Sequence, residues 1–247
     1  MAPLSLCVIA RDSARLLPDC LISAHAVASD VVVVVDDRTR DDTASIARSL
    51  GARVFTHSFT DFASQKNFCL SQAKHDWVLF LDADEQLSPE LSQEINHTLA
   101  NPVHSAYIIP RLNYIFGKVM HHTNWDPSSD AHVWLFDGRR ARWTGIIHEQ
   151  VVTSGSIGRL LHPKIHHNYS SVESFIEKLN LYTSFEAKKR SYPLVLVFLH
   201  PVWKFIRHFF VHLGFLDGWH GLFLSYLQAI YGLTTAVKTW EQRQNLA

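Results

Sequence analysis

Cysteine is scarce in this chain. Cys7, Cys20 and Cys69 are the only three in 247 residues. An odd number without paired ligand spacing excludes a disulfide scaffold and a zinc knuckle, and points to a reducing compartment. Net charge is missing too: Lys+Arg and Asp+Glu both total 23. Neutralising a phosphate backbone needs a basic excess, so nucleic acid is not an expected partner. No glycine-rich phosphate loop is present, neither G-x-G-x-x-G after a strand nor a P-loop, so a metal would have to neutralise any bound diphosphate. No internal repeat or low-complexity tract is evident. The apolar run at residues 4–10 is short, lacks a basic leader and meets Arg11 and Asp12 at once. It reads as a core strand rather than a secretory signal, and the expected location is cytoplasmic.

What is present suffices for a full core. Hydrophobic residues make up 47% and charged residues 19%, which fits one large domain or one domain with an appendage. Sixteen histidines would make the chain cationic on mild acidification, since their ordinary pKa is about 6.5.

The first hundred residues alternate strand and helix patterns. Strands are expected at 4–10, 31–35, 52–56 and 77–81, with helices at 16–28, 43–50 and 62–74. The unbroken valines 31–35 mark a strand buried on both faces. Ser88, Pro89 and Glu90 supply a cap, a first-turn proline and an acid for one more helix. Such alternation implies a parallel sheet whose ligands sit beyond the carboxyl ends of its strands. Shorter strands follow at 107–109, 132–136 and 141–143, with Asp137-Gly138 as a turn. The chain turns helical from Ser171, where Lys188, Lys189 and Arg190 read as a solvated helix end. Two apolar stretches, 193–213 and 222–237, are separated by Gly214, Gly218 and Gly221. Lys204 and Arg207 argue against a membrane-spanning helix and for one lying on a membrane surface, with packing on the core or on a partner subunit as the alternative.

Two acidic clusters end parallel strands: Asp36-Asp37, and Asp82-Ala83-Asp84-Glu85. Carboxylates two apart project to one side of an extended backbone, so Asp82 and Asp84 can converge on a hard cation such as Mg²⁺. Solvated acids in a turn or cap are the alternative. His162, His166 and His167, at strand-like spacing, read as satisfied polar contacts rather than a metal cluster.

In several stretches the sequence resembles the family 2 glycosyltransferases, within them the bacterial subgroup that includes lipopolysaccharide core β-glucosyltransferases. The stretches include VVVDDRTRDDT (33–43), ASQKNFCLSQAKHDWVLFLDADEQLSPEL (63–91) and IPRLNYIFGK (109–118). WTGIIHEQV (143–151), GRLLHPKIHHNYSSVESFIEKLNLYT (158–183) and GFLDGWHGLFL (214–224) continue them. The resemblance implies an α/β, GT-A fold: a Rossmann-like, mainly parallel sheet with flanking helices, plus a C-terminal helical appendage. The donor half would span about 1–100, the acceptor half about 101–170 and the appendage 171–247. It implies that Asp36, beside Asp37, contacts the donor nucleoside. Asp82 and Asp84 match the D-x-D pair for ribose and metal-bound diphosphate, and Gln65-Lys66-Asn67 a helix start beside the donor.

Three departures stand out. Ala10-Arg11-Asp12-Ser13 replaces T-K-N-E, and Asp36-Asp37-Arg38-Thr39-Arg40-Asp41 replaces D-S-G-S-T-D. Aligning Asp130 with the aspartate of D-x-x-x-R-L-F puts Trp134 where relatives have arginine. Transfer with inversion needs a carboxylate base, for which Glu149 and Asp130 are the candidates. His148 could join Asp82 and Asp84 as a metal ligand, since imidazole binds Mn²⁺-like ions. The expected activity is inverting transfer of a hexose from a nucleotide diphosphate sugar, UDP-glucose favoured, to a lipid-linked saccharide. Lipopolysaccharide inner core is the favoured acceptor, at the inner face of the cytoplasmic membrane, with Mg²⁺ or Mn²⁺ as cofactor. A degenerate membrane-associated binding module and a sugar-phosphate nucleotidylyltransferase are the alternatives.

Overall fold

The computed structural model describes residues 3–145, 149–188 and 194–244. The chain divides into two compact units: Met1–Arg111 with Ala131–His166, and Leu112–Asp130 with His167–Ala247. Residues 112–130 thus cluster with the C-terminal helices.

The first unit opens with β1 (Leu4–Ala10), α1 (Leu17–Ser23), β2 (Asp30–Asp36), α2 (Thr43–Ser49), β3 (Arg53–His57), α3 (Phe62–Ser71) and β4 (Trp77–Asp82). Next come β5 (Glu85–Gln86), α4 (Pro89–Ala100) and β6 (Ala106–Ile115), whose far end enters the second unit. The second unit contributes β7 (Lys118–Val119). The chain returns through β8 (Ala131–Asp137), β9 (Ala141–Thr144), β10 (Gln150–Thr153), β11 (Ile157–Arg159) and β12 (Lys164–Tyr169). Strand order is β3-β2-β1-β4-β8-β6-β12-β5, with β11 on β6 and a separate β9–β10 hairpin. The pairs β3–β2, β2–β1 and β1–β4 are parallel, while β8 runs antiparallel to both β4 and β6.

Sequence pattern explains most of this layout. Val32–Val35 are buried because helices cover both faces of a parallel sheet. Ser88 caps α4 by accepting from Leu91 N, as its cap-proline-acid start implies. Strands β5, β7, β10, β11 and β12 lie outside the expected set, and two expected elements differ markedly in length. Helix α1 stops at Ser23 rather than 28, and turns carry Ala24 and Val27 into the core. Strand β6 is ten residues long where three were expected, because Pro110 usually ends a strand. Here Pro110 pairs with Ala131, the first residue of β8, so its missing N–H falls where that ladder ends.

The second unit holds α5 (Val172–Ala187), capped by Ser171, and α6 (Leu194–Ile206), with Pro201 inside it. A π-helical turn (Arg207–Val211) and a 3-10 turn (Gly214–Asp217) lead into α7 (Trp219–Gln244). Gly221 is required: a Cβ there would stand 1.8 Å from the Gly214 carbonyl oxygen. Phe116 and Gly117, at φ 51° and 80°, form the two-residue turn between β6 and β7, where both central residues need positive φ. Among the described residues no helix is long and apolar enough to cross a membrane.

A buried ion pair ties the amino ends of the sheet. Asp30, 5% exposed, accepts from Arg53 Nε and Nη2 at 2.9 Å, from Ser5 Oγ at 2.8 Å and from Lys74 N at 3.0 Å. Burial pushes its carboxyl up, but the Arg53 and Ser5 hydrogen bonds outweigh this and hold it below the usual range. The contribution to stability is therefore complete above the unfolded carboxyl value of about 3.9 and is lost as pH falls through the lower folded value. Breaking a buried pair costs about 3–5 kcal/mol, discounted here because Arg53 is about one-third exposed. Asp30→Asn is expected to lose about 2 kcal/mol at pH 7 and to flatten the acid limb of the stability curve. Urea denaturation between pH 3 and 7 checks both.

Candidate active site

Asp36 ends β2 and Asp82 ends β4, on either side of β1. The registers pair Ala10 with Val35 and Ile9 with Asp82, so both acids lie at one carboxyl edge, about 10 Å apart at two strand spacings. That is where a parallel sheet binds ligands.

At the first position Arg38 folds back onto Asp36. Its backbone N and Nε each donate to Oδ1 at 3.0 Å, and Nη2 donates to Oδ2 at 2.7 Å. Those Arg38 bonds hold the Asp36 carboxyl down at about 2. The guanidinium also lies 5.6 Å over the Phe59 ring. Asp37 accepts from the Ser58 hydroxyl. The altered first turn and the altered second turn clasp each other. Arg40 N donates to Asp12 at 2.8 Å, Ala14 N to Asp41 at 2.9 Å, and Ser13 N to Thr43 Oγ1 at 2.8 Å.

The second position is a lattice of charges. Lys66 Nζ, almost fully buried, lies 3.2 Å from Asp82 Oδ1 and 2.8 Å from Glu149 Oε1. Arg111 reaches Asp82 Oδ2 at 3.0 Å and Glu85 Oε1 at 2.7 Å. The other Glu85 oxygen accepts from Lys164 and from Asp82 N, the latter at 2.9 Å. The indole of Trp134 faces all three cations, with Lys164 Nζ 3.3 Å, Arg111 Cζ 4.4 Å and Lys66 Nζ 4.8 Å from its centre.

Burial pushes the Lys164 ammonium down to about 7 in spite of Glu85. Burial also lowers Lys66, but Asp82 and Glu149 outweigh it and the net shift is upward. For Asp82 desolvation acts upward and is overcome by Lys66 and Arg111, which hold it well below the usual carboxylate range.

Helix α3 places Lys66 through its neighbours. Gln65 Oε1 meets His57 Nδ1 at 2.8 Å, and Asn67 exchanges two hydrogen bonds with the Trp143 backbone at 2.8 and 2.9 Å. Asp61 caps the helix by accepting from Ser64 N.

The structure thus brings together Lys66, Asp82 and Glu149 directly, with Asp84 two residues along the same edge. Asp84 Oδ1 lies 3.5 Å from His166 Nε2, a histidine the sequence gave no metal role. Asp130 belongs to the second unit, where it accepts from Asn113 Nδ2 at 2.9 Å. His148 lies outside the described residues. Among the described residues no three acid, histidine or cysteine side chains form a complete metal cage. Glu85, Arg111, Lys164 and His166 were not singled out as site residues. Glu85 stands in the acidic cluster after β4 and His166 among the three histidines, while Arg111 and Lys164 show only a charge inside an otherwise strand-like stretch.

Residues 5–157 match the family described as glycosyl transferase family 2. The chain belongs to that family. This glycosyltransferase is 29% identical over 240 residues to a glycosyltransferase of Rickettsia felis, covering 90% of this chain and 83% of the relative. It is 25% identical over 253 residues to the lipopolysaccharide core biosynthesis glycosyltransferase LpsC of Rhizobium meliloti, covering 97% and 93%. Among solved structures, S. aureus TarS aligns with TM-score 0.46 and 14% identity over 77% of this chain and 40% of that one. Glucosyl-3-phosphoglycerate synthase of Mycobacterium tuberculosis, solved with Mn²⁺, UDP and glucosyl-3-phosphoglycerate, gives 0.39 and 17% over 46% and 44%. The chain therefore spans less than half of either solved protein. The glycosyltransferase has the GT-A fold: a mostly parallel sheet with flanking helices and C-terminal helices.

Removing one partner from this lattice strands the others in a desolvated site. Glu85→Ala should cost about 3–5 kcal/mol, since the fully buried Lys164 loses its carboxylate and Arg111 loses one of its two. Asp76→Ala breaks the exposed pair with Arg139, 3.0 Å apart and more than half exposed on both sides, and should cost under about 1 kcal/mol. Denaturant titration of the two variants side by side checks the contrast.

Proposed function

We propose that this glycosyltransferase moves a hexose with inversion from a nucleotide diphosphate sugar, UDP-glucose by preference, to a lipid-linked saccharide. The convergence of Asp82, Asp84, Lys66 and Glu149 at one strand edge carries this reading. The name of LpsC supports lipopolysaccharide inner core as the acceptor, reached at the cytoplasmic face of the inner membrane. Asp36 and Arg38 would hold the nucleoside, with Asp37 beside them.

Asp84 and His166, an oxygen and a nitrogen donor 3.5 Å apart, would hold a divalent cation, Mg²⁺ or Mn²⁺. When bound, it supplies Lewis-acid charge for the leaving diphosphate. Asp82 already has a cation on each carboxylate oxygen, so its part is to orient Lys66 and Arg111 rather than to act as a principal ligand. Glu149 accepts the proton of the acceptor hydroxyl as that oxygen attacks the anomeric carbon. The bond to the diphosphate breaks in the same displacement, and no covalent enzyme intermediate forms. We assign the base to Glu149 rather than Asp130 because Glu149 shares Lys66 with Asp82.

Two variants test the assignment. Glu149→Gln should keep donor affinity and lower turnover by a factor on the order of 10² to 10⁴. Near-normal turnover together with an inactive Asp130→Asn would move the base to Asp130. Asp84→Ala should abolish the Mn²⁺ dependence of UDP binding in calorimetry while the fold persists. Slow release of UDP from UDP-glucose by the parent separates a transferase from a binding module, and pyrophosphate release from a nucleoside triphosphate would instead mark a nucleotidylyltransferase.

A further inference from the structure

The helices of the second unit carry most of the large apolar side chains that stay exposed among the described residues. On α7, Trp219, Phe223, Tyr226, Ile230, Leu233 and Val237 are 43–72% exposed. Their spacing alternates four and three, so they form one stripe along the helix. The opposite face, with Gly221, Leu224, Ser225, Gly232, Thr235 and Ala236, is buried. On α6, Phe198, Leu199, Val202 and Trp203 are 56–77% exposed, and Phe210 of the π-helical turn is 56% exposed. The two exposed faces are joined, because the Phe205 ring lies 4.6 Å from that of Tyr226. A contiguous apolar surface of this extent marks a docking face.

Charge selects the occupant. Between Ala187 and Trp240 the only acid is Asp217, and it is 3% exposed. The cations of α6 and its π-helical turn, Lys204 and Arg207, follow Trp203 and precede Phe210 in the chain. A second copy meeting this face through a two-fold axis would set the like charges of Lys204 and Arg207 together, and the one exposed acid of these described helices, Glu241, lies at the far end of α7. A lipid surface meets neither obstacle. Tryptophan and phenylalanine enter the boundary between headgroups and acyl chains, while basic side chains meet anionic phosphates. With one face of α7 already buried and no spanning helix among the described residues, contact would be along the surface.

We infer that the exposed face of α6, the π-helical turn and α7 docks flat on an anionic phospholipid surface. The inference deepens the lipid-linked reading of the acceptor and rests on it only for its purpose.

The test uses the full chain and vesicles of phosphatidylcholine alone, or with about one-third phosphatidylglycerol. The protein should pellet with the anionic vesicles, less so as salt rises. Trp203→Glu combined with Trp219→Glu should weaken pelleting at least about tenfold. Arg207→Gln, which keeps the apolar face intact, should weaken it about fivefold. Parent protein that stays in the supernatant with anionic vesicles overturns the proposal, as does a double variant that pellets like the parent. A vesicle-free dimer in light scattering that the double variant converts to monomer also overturns it, assigning the face to a second copy. UDP release without vesicles reads the sugar site separately. Lost pelleting with intact UDP release removes the docking alone, and intact pelleting without UDP release removes the transferase reading alone.

Discussion

Charge balance inside one desolvated volume is the constraint on which the first unit depends. Asp82, Glu85 and Glu149 are three carboxylates; Lys66, Arg111 and Lys164 are three cations, and each has a partner of opposite sign within 3.2 Å. Lys66, Glu85 and Lys164, the almost fully buried members, could not remain so alone, because an unpaired charge in such a place costs several kcal/mol. The constraint reaches into α3, β4, β5, β6 and β12 at once. It fixes the register of β5 against β12, where His166 opposes Glu85, and it sets where α3 must begin, since only one residue of that helix start can face the acids. Trp134 then becomes intelligible. By resemblance an arginine belongs there, which would add a fourth cation to a balanced set. A neutral indole accepts the same three cations on its π face without disturbing the balance.

The two turn departures are coupled in the same sense. Asp12 sits at φ 47°, a left-handed position that aspartate tolerates better than most residues. From there its carboxylate receives Arg40 N, while Asp41 receives Ala14 N in return. A glycine lost from the second turn is thus offset by acids that tie the two loops together. Arg38 is held by the same loop and by the Phe59 face. A carboxylate has about four acceptor positions, and Arg38 takes three of those on Asp36. If Asp36 holds the nucleoside as proposed, a nucleobase would either share the remaining position or meet the outward N–H groups of Arg38. The altered turn converts a bare acceptor into an acceptor joined to a donor.

The parallel sheet was legible because each of its strands is a short apolar run ended by an acid, a glycine or a turn. Asp36, Asp82 and Asp84 were legible for the same reason, as acids at strand ends. The rest depends on long-range pairing that no local pattern carries. Strand β5 has two residues and exists only because the distant β12 pairs with it. Lys164 and Arg111 look in sequence like ordinary surface charges on edge strands, and their burial follows from Glu85, 79 and 26 positions away respectively. Pro110 hid most of β6, since its effect depends on where β8 begins. His166 reads in sequence as a satisfied polar contact, and what the sequence does not show is that the partner is Asp84.

The second unit works by a similar division between a polar anchor inside and apolar surface outside. Asp217, at the centre of the late GFLDGW stretch, accepts from His122 N and Thr123 Oγ1 at 3.0 Å and from His121 N at 3.3 Å. Thr123 N in turn donates to His212 O at 2.8 Å, and the Thr123 carbonyl meets His208 Nδ1 at 3.1 Å. Thr123 and Asn124 both have positive φ, a strained path that holds only where partners on several sides determine it. The helices after residue 206 supply those partners. The segment from 121 to 130, which carries Asp130, consequently takes its shape from residues nearly a hundred positions later. An aspartate can be buried there because several donors converge on it. With its polar groups committed to that anchor, the helical region has apolar side chains left for its outer face.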